Sequence, residues 1–432
     1  MNLKLIHPRT LLRKARVYAR KLWVRVVIMG LLAFLSLGLT QLVEPLVPKN
    51  IATMLSGAAA DRLLDVIANA MLAVTIFSIT IMVSVHQASS SQFTPRVHRL
   101  IIQDRTTQNT LAVFIGAYVY ALLAIILREL GVYVDERAFV LFVVTVLVLA
   151  VIVIYLIRWV LHLQSFGSLI DNARQIEKVT LAQFRDRLDN PCLGANPLTG
   201  EIPEGETIVA AESGYIKHIY PEGLNEVADA HGVSLYLRRN IGSFVFVNEP
   251  LVTVIREGAA EDELDFETLT EGVRANIVLG DVRTFDQDPR FGLMVMGEVA
   301  SKALSPGIND PGTAIDVITR IGRILSVYED ETENRPETLL GHLHVRPISP
   351  RDLIEDGFAA LSRDGAGVVE VQIRLQQTLA GLMQHPDKGL REAARAAAAT
   401  ELARALAEMS FEPDRQRLIA STHADVLADA GL

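Results

Sequence analysis

The sequence is poor in cysteine, and Cys192 is the one thiol among 432 residues. A single cysteine excludes an intrachain disulfide and any metal site built from several thiolates. The pattern G-x-x-x-x-G-K-[ST] is also missing, so nothing indicates a P-loop nucleotide site. Because no nucleophile–base pair stands out either, we expect no enzyme, no bound cofactor and no metal.

Basic residues are scarce in the second half of the chain. Residues 201–432 hold 21 Lys/Arg against 39 Asp/Glu, a net charge of −18, whereas residues 1–200 hold 20 against 11, a net charge of +9. An acidic surface repels phosphate backbones, so nucleic acid is excluded as a partner. The basic half instead suits the anionic headgroups of a lipid bilayer.

Long apolar runs fill the first 160 residues. Four stretches of about 18–23 residues each match the roughly 20 helical residues that cross a hydrocarbon core. Backbone amides in lipid must be paired within the segment, so each stretch is predicted to be a helix. The sequence therefore predicts an α-helical membrane domain with four transmembrane helices. The stretches are Val24–Leu42, Leu63–Val85, Thr110–Leu127 and Ala138–Ile157.

The distribution of Lys and Arg predicts the orientation, because positive residues mark the cytoplasmic side. The first 25 residues carry eight Lys/Arg and no acid. Two further basic groups precede the third stretch and follow the fourth. The loop between the first two stretches holds only Lys49 and Arg62 as basic residues, and the loop between the last two is short and mixed. We therefore expect a multi-pass protein of the cell inner membrane with both termini cytoplasmic. The two groups are Arg96, Arg99 and Arg105, and Arg158, Arg174 and Lys178.

The remaining chain is predicted to be a cytoplasmic α+β region. The fourth helix is expected to continue as Arg158–Arg187 and to end at Asn190, because the residue before a proline disfavours helix. A linker with three Pro and three Gly follows. The predicted parts are a transmembrane domain with its helical extension at 1–190, a linker at 191–206, a small β module at 207–256 and a mainly helical module at 257–432.

The β module is predicted from alternating apolar residues bounded by turn residues. Its repeated Gly-rich strand starts resemble the halves of a barrel-sandwich hybrid, but Lys217 lies inside a strand and cannot act as a carrier lysine. The predicted strands are Thr207–Ala211, Gly214–Ile219, Ser234–Leu237 and Ser243–Val254, with a helix at Pro221–His231 and further strands at Asn276–Leu279 and Leu340–Val345. The later helices are Phe291–Leu304, Pro311–Tyr328, Arg351–Leu361, Val368–Gln384, Gly389–Met409 and Arg415–Leu427.

Three strings carry a family resemblance: A-S-S-S-Q-F-T-P-R at 88–96, the pair S-G-Y-I and G-S-F-V at 213–216 and 242–245, and A-L-S-P-G-I-N-D-P-G-T-A at 303–314. With the four-helix pattern, these strings make the chain similar to the DUF2254 family of predicted bacterial membrane proteins. The resemblance spans nearly the whole chain and implies an architecture, but no activity.

The second predicted helix carries a polar stripe that continues past the end of the apolar stretch at Val85. At about 100° per residue, its polar and small residues fall within an arc of about 100°. The stripe either lines a water-filled path or holds helices together through small and polar side chains. Its polar members are Asp65, Asn69, Thr80, Ser84, Gln87 and Ser91.

The turn between the two helices after residue 290 is the second candidate site. Pro306-Gly307 stops one helix, and Asp310 is predicted to cap the next, with Pro311 in its first turn. A helix N-terminus beside glycines also suits an anion. The turn is therefore either a helix–turn–helix joint or a ligand site. Its candidate residues are Ser305, Gly307, Asn309, Asp310 and Thr313.

Two further patterns have weaker chemical interpretations. His342 and His344 alternate on a predicted strand, so they share one face and could begin a zinc site. The acidic run Glu257–Glu267 lacks the spacing of an EF-hand and reads as a solvated surface.

These patterns favour an oligomeric ion channel or transporter. In this interpretation, homo-oligomers place the polar stripe at a shared axis, and the cytoplasmic domain acts as the gate. The alternative is a membrane-anchored scaffold or sensor whose cytoplasmic domain binds a protein or small ligand.

Overall fold

The computed structural model describes residues 57–92, 94, 96, 105–130, 138–165, 169–256, 264–333 and 340–432, with a few residues between 23 and 35. The chain divides into two compact units. The first, here called the membrane unit, comprises residues 1–91 and 98–168, and the second, the C-terminal unit, comprises residues 92–97 and 169–432.

The membrane unit contains three long helices in its described part. They are α1 (Gly57–Gln92), α2 (Arg105–Glu129) and α3 (Ala138–Ser165). Each holds a segment long and apolar enough to cross a membrane, at Ala58–Val85, Thr106–Glu129 and Val140–Leu163. Three of the four predicted spans therefore have a helical counterpart. Most of the first predicted span, Val24–Leu42, lies outside the described residues.

The main part of the C-terminal unit, residues 169–432, begins with α4 (Leu169–Asp189). The sequence predicted one continuous helix from the fourth span to Arg187. The structure describes α3 up to Ser165 and α4 from Leu169, and the predicted junction at residues 166–168 lies outside the described residues. The predicted stop is confirmed, because α4 ends one residue before Asn190-Pro191.

Eight strands form two sheets in the described part of the chain. The five-stranded sheet has the order β1-β8-β4-β6-β2, and the three-stranded sheet has the order β5-β3-β7. Strand β8 pairs in parallel with β1 and β4, and the other pairs are antiparallel. The strands are β1 (Ala195–Pro197), β2 (Glu206–Val209), β3 (Gly214–Ile219), β4 (Val233–Leu237), β5 (Phe244–Val245), β6 (Pro250–Arg256), β7 (Ile277–Gly280) and β8 (Leu340–Val345).

The sheets extend beyond the predicted module at 207–256. The predicted linker at 191–206 contains a 3₁₀ turn at Pro191–Gly194 and strand β1, and Cys192 is fully buried. Strands β7 and β8 come from the region predicted as mainly helical. Judged by local composition alone, the Pro- and Gly-rich segment 191–206 is typical of a linker. A three-residue strand held by a partner about 145 positions away leaves no local signature.

Two helices cover this sheet core. They are α5 (Pro221–His231), found at its predicted bounds, and α6 (Phe266–Ala275), whose first two residues end the acidic run Glu257–Glu267. Helix α5 packs on β4 and β8 through the buried side chains of Leu224 and Ala228. Asp265 caps α6 by accepting the Thr268 backbone N–H, so one acid of the acidic run has a structural role.

Seven helices complete the described unit. Helix α4 packs on α7 and α8, and α7 packs closely on α9. Aspartates or a serine cap α7, α8, α9 and α11, three of them before a proline in the first turn, as the sequence predicted at Asp310. The helices are α7 (Pro289–Ala303), α8 (Pro311–Leu325), α9 (Pro350–Asp364), α10 (Val369–Leu382), α11 (Lys388–Glu408), α12 (Glu412–Ala420) and α13 (Ala424–Asp429). The single helix predicted at Arg415–Leu427 is thus two helices, because His423 starts a new one by accepting the Asp425 backbone N–H.

Candidate functional site

The polar stripe lies on the outer surface of α1. Asp65, Asn69, Thr80, Ser84 and Gln87 are all exposed in the single chain. The side chain of the sixth stripe residue, Ser91, lies outside the described part of the structure. The described stripe residues therefore share one face, as predicted, and that face is not covered by the described part of the membrane unit.

Three stripe side chains donate hydrogen bonds to their own helix. Asn69 Nδ2 donates to the carbonyl of Asp65 at 2.9 Å, Thr80 Oγ1 to that of Ile76 at 2.9 Å, and Ser84 Oγ to that of Thr80 at 3.0 Å. Such bonds satisfy the donor and leave acceptor lone pairs on each oxygen. The stripe is thus locally paired but still polar.

The packing face of α1 lies opposite the stripe. Ala60, Leu64, Ile67 and Met71 are buried in a core shared with α2 and α3. At about 100° per residue, these residues centre roughly 180° away from the stripe. The helix therefore turns its apolar face to its own bundle and its polar face outward.

The interior of the described bundle is filled by large side chains. Phe114, Tyr120, Leu141 and Trp159 are each almost completely buried. The Tyr120 hydroxyl lies 3.1 Å from that of Thr145, so the polar group is paired inside the core. The outward face of α1 is therefore where the described spans offer polar groups in a row.

The turn between α7 and α8 brings the second set of predicted residues together. Asp310 Oδ1 accepts the Thr313 backbone N–H at 3.1 Å, and Oδ2 accepts the Thr313 hydroxyl at 2.5 Å. Ser305 Oγ donates to the carbonyl of Lys302 at 2.6 Å. Asn309 takes a left-handed conformation with φ +51°, which reverses the chain after Gly307.

The polar groups of this turn form hydrogen bonds with one another. The backbone N–H groups of Ile308 and Asn309 both donate to the Ser305 carbonyl, at 3.0 and 2.9 Å. The Thr313 hydroxyl bond, reinforced by the Thr313 N–H, lowers the pKa of Asp310 below its ordinary value. An ionised carboxylate at the helix N-terminus opposes a second anion there. This geometry favours the joint over the ligand site.

The histidine pair lies on one face of β8, as the alternation indicated. His342 Nε2 is 3.3 Å from Asp229 Oδ1, and the His344 ring stacks on Tyr236 at 4.1 Å. Among the described residues, no group of three His, Cys, Asp or Glu side chains is placed to hold a metal ion. The two rings thus have different neighbours, as in a half-exposed strand.

Sequence reasoning missed a buried carboxylate, Glu331. Its side chain is 1% exposed and accepts the Arg187 guanidinium, the Cys192 N–H at 3.0 Å and the Ile348 N–H at 2.6 Å. It lies in the acidic run 329–333, which has the composition of a solvated surface. No periodicity marked Glu331 as buried.

A narrow cleft of about 30 Å³ lies between this region and the sheet, lined by Arg187, Arg239, Asp288 and Arg290 among others. Each of these arginines already has an acid partner. Arg187 pairs with Glu331, Arg239 pairs with Glu249, and Arg290 pairs with both Asp352 and Asp356. Arg283 likewise pairs with Asp288. Because the arginines that line it are already paired with acids, the cleft reads as a packing joint and not as an anion site.

Comparison with known proteins places the chain among membrane proteins. It is 26% identical over 357 residues to "Uncharacterized protein Mb1321c" of Mycobacterium bovis and to "Uncharacterized protein Rv1290c" of Mycobacterium tuberculosis, covering 80% of this chain and 67% of each relative. No solved structure matches it. The family described as "Predicted membrane protein (DUF2254)" matches residues 19–381, and three described helices fit that description. The chain belongs to the DUF2254 family.

Proposed function

We propose that the protein forms a homo-oligomer in the inner membrane, in which the polar stripe of α1 lines a path for ions or small polar solutes. The C-terminal unit, which the positive-inside rule predicts to be cytoplasmic, would control that path. The observation that carries this proposal is the outward direction of the stripe, opposite the face that α1 buries in its own bundle.

An outward polar face is costly against lipid. Polar and ionisable side chains in spans usually face a bundle interior or a water-filled cavity. Asn69, Thr80 and Ser84 use their donors locally, but their oxygens still prefer a polar neighbour. A second copy of α1, or water held between copies of the protein, would supply this polar neighbour.

A path between copies fits the packing better than a path within one copy. The described bundle interior is occupied by aromatic and aliphatic side chains such as Phe114 and Trp159. Water in that space would have to displace well-packed apolar groups. A shared axis lined by several α1 helices requires no such displacement.

The alternative is a membrane-anchored scaffold or sensor, in which the stripe only packs protomers together. The bonds from Thr80 and Ser84 to their own helix favour it, because both donors are satisfied without water. Interhelical contacts of small and polar residues hold spans together at about 0.6 kcal/mol per hydrogen bond.

Disulfide cross-linking tests the assembly. With Cys192 replaced by alanine, Ala73→Cys lies within the stripe, and Ala70→Cys is an exposed control on the same helix outside it. The proposal expects oxidised dimers in liposomes at position 73 and far fewer at position 70. Equal yields, or none at position 73, would contradict an interface along the stripe.

Flux measurements separate the two functions. The unmodified protein in liposomes should pass ions or small solutes under a voltage, pH or osmotic gradient if the stripe lines a path. Cross-linking at position 73 together with inert liposomes under all three gradients would support the scaffold or sensor.

A further inference from the structure

Strand β5 and the turn that follows it expose three large apolar side chains. Phe244, Phe246 and Val247, here called the aromatic segment, are 42%, 66% and 52% exposed. The Phe244 ring packs edge-on against Phe246 at 5.1 Å and against Tyr215 at 5.0 Å. Single exposed apolar residues are ordinary, but a contiguous aromatic cluster marks an interaction surface.

The backbone holds this cluster outward. The Phe246 N–H donates to Glu249 Oε2 and the Val247 N–H to Ser213 Oγ, both at 2.9 Å. The Asn248 N–H donates to the Ala210 carbonyl at 2.9 Å, and Asn248 takes φ +66°. Buried Val245 fixes the strand between the two exposed rings. The apolar tip is thus a well-bonded turn and not a loose loop.

The tip carries no charge. The six residues 243–248 contain no ionisable side chain. The side chain of the adjacent Glu249 pairs with Arg239. The hydrogen bond from the Phe246 N–H lowers the pKa of the Glu249 carboxyl. Phe246 and Val247 can therefore lose their water without burying an ionised group.

We propose that the aromatic segment inserts into the interface between headgroups and acyl chains of the bilayer that holds this chain's own spans. This inference rests on the chain being a membrane protein and does not depend on the proposed path.

Chain connection makes lipid the favoured occupant. Helix α4 begins at Leu169, with only three residues between it and Ser165, where the spanning helix α3 ends. Because so few residues separate the two helices in the sequence, the C-terminal unit stays at high effective concentration beside the bilayer. Phenylalanine and aliphatic side chains are typical of segments that bury an apolar surface in this interface.

The charge of the unit predicts how insertion depends on lipid. Residues 201–432 carry a net charge of −18, so anionic headgroups offer no general attraction. Insertion would be driven by apolar burial, and it should be as deep in phosphatidylcholine vesicles as in vesicles that contain anionic lipid.

Depth-dependent quenching of a fluorophore tests the proposal in the full-length protein. With Cys192 replaced by alanine, the polarity-sensitive dye NBD is attached at Phe246→Cys, and at Val247→Cys as a second reporter. The matched control is Phe411→Cys, an aromatic residue 62% exposed at the start of α12. The protein is reconstituted in vesicles with nitroxide-labelled lipids or with iodide on both sides.

We expect blue-shifted emission and strong nitroxide quenching at positions 246 and 247, with iodide quenching dominant at position 411. Iodide quenching at 246 and 247 equal to that at 411 would place the tip in water and overturn the proposal. A blue shift without nitroxide quenching would also overturn it, because a second copy or another protein would then cover the tip.

Discussion

Arg187 and Glu331, 144 positions apart, form a buried ion pair that fixes the end of α4. Arg187 Nη2 donates to Glu331 Oε2 at 3.1 Å, and Nε donates to the other oxygen. The two side chains are 9% and 1% exposed. Glu331 also accepts the backbone N–H groups of Cys192 and Ile348, so one carboxylate joins α4 to the 3₁₀ turn and to the segment before α9.

The first prediction concerns this pair. Arg187→Ala leaves a buried carboxylate without its cation, which should lower the free energy of unfolding by about 3–5 kcal/mol. Arg187→Lys should recover only part, because an ammonium cannot reproduce the two-pronged contact. The control is Arg363→Ala, whose more exposed pair with Asp364 should contribute at most about 1 kcal/mol.

The buried thiol of Cys192 offers the measurement. A thiol-reactive fluorogenic dye should react with it only when the C-terminal unit opens, since Cys192 is fully buried. Labelling rates against temperature in detergent then give a transition for each variant. An Arg187→Ala transition that coincides with that of Arg363→Ala would contradict a structural role for the buried pair.

Much of the architecture can be predicted from the sequence, because helices and their caps have local signals. Asp310 before Pro311 predicted the start of α8, and the bounds of α5 and β8 were predicted without error. The elements that the sequence did not reveal are those that depend on contacts between residues far apart in the chain. Strand β1 has meaning only through its pairing with β8.

The candidate sites show the same difference between features with a local signal and features that depend on the fold. A helical projection grouped Asn69, Thr80 and Ser84 on one face, but only the fold shows that this face points away from the bundle. Glu331 could not be found, because nothing local separates a buried acid from its solvated neighbours in the run 329–333. Whether the stripe lines a path stays a prediction.

The second prediction concerns the cap of α8. Asp310→Ala should cost about 0.5–2 kcal/mol of stability, because the Thr313 N–H loses its acceptor. Asp310→Asn should cost less, since its amide oxygen still accepts. The dye-labelling transition of Cys192 measures both. If the Ala variant left the transition unchanged but abolished binding of an added anion, the turn would be a ligand site.

The same residue predicts a pH dependence. Its folded pKa is depressed, so its contribution to stability is present above the unfolded value of about 3.9 and is lost as pH falls through the lower folded value. In Asp310→Asn this contribution to acid sensitivity should disappear. The check is the stability of both proteins between roughly pH 2 and 5; identical slopes would show that Asp310 does not titrate as a cap.

The third prediction uses two helical glycines. A Cβ at Gly297 of α7 would lie 2.7 Å from the Gly357 carbonyl oxygen of α9, so Gly297→Ala should force two backbones apart and cost about 1–3 kcal/mol. At Gly381 of α10, a Cβ would meet no atom within 4 Å, so Gly381→Ala should stabilise by up to about 1 kcal/mol. Opposite shifts of the Cys192 labelling transition are expected; shifts of one sign would refute the close contact between α7 and α9.

The fourth prediction concerns orientation. In a Cys192→Ala background, cysteine at Ser56 should react with an impermeant maleimide added to intact cells, and cysteine at exposed Ser410 should react only after lysis. The reason is the eight Lys/Arg among the first 25 residues, which are retained on the cytoplasmic side. The reverse pattern would show that the C-terminal unit is outside.

The last prediction tests the stripe itself. Thr80→Val with Ser84→Ala removes both hydroxyls with little change in bulk, whereas Ala70→Leu adds bulk on an exposed position outside the stripe. If the stripe lines a wet path, the double variant should reduce flux in liposomes by at least about tenfold, because a loss of about 1.4 kcal/mol in stabilising the permeating species corresponds to a factor of ten. Cross-linking through Ala73→Cys should survive, and Ala70→Leu should leave flux intact. If the stripe only packs protomers, the double variant should instead lower the yield of cross-linked dimers. Loss of dimers with unaltered flux per remaining oligomer would then favour the scaffold or sensor.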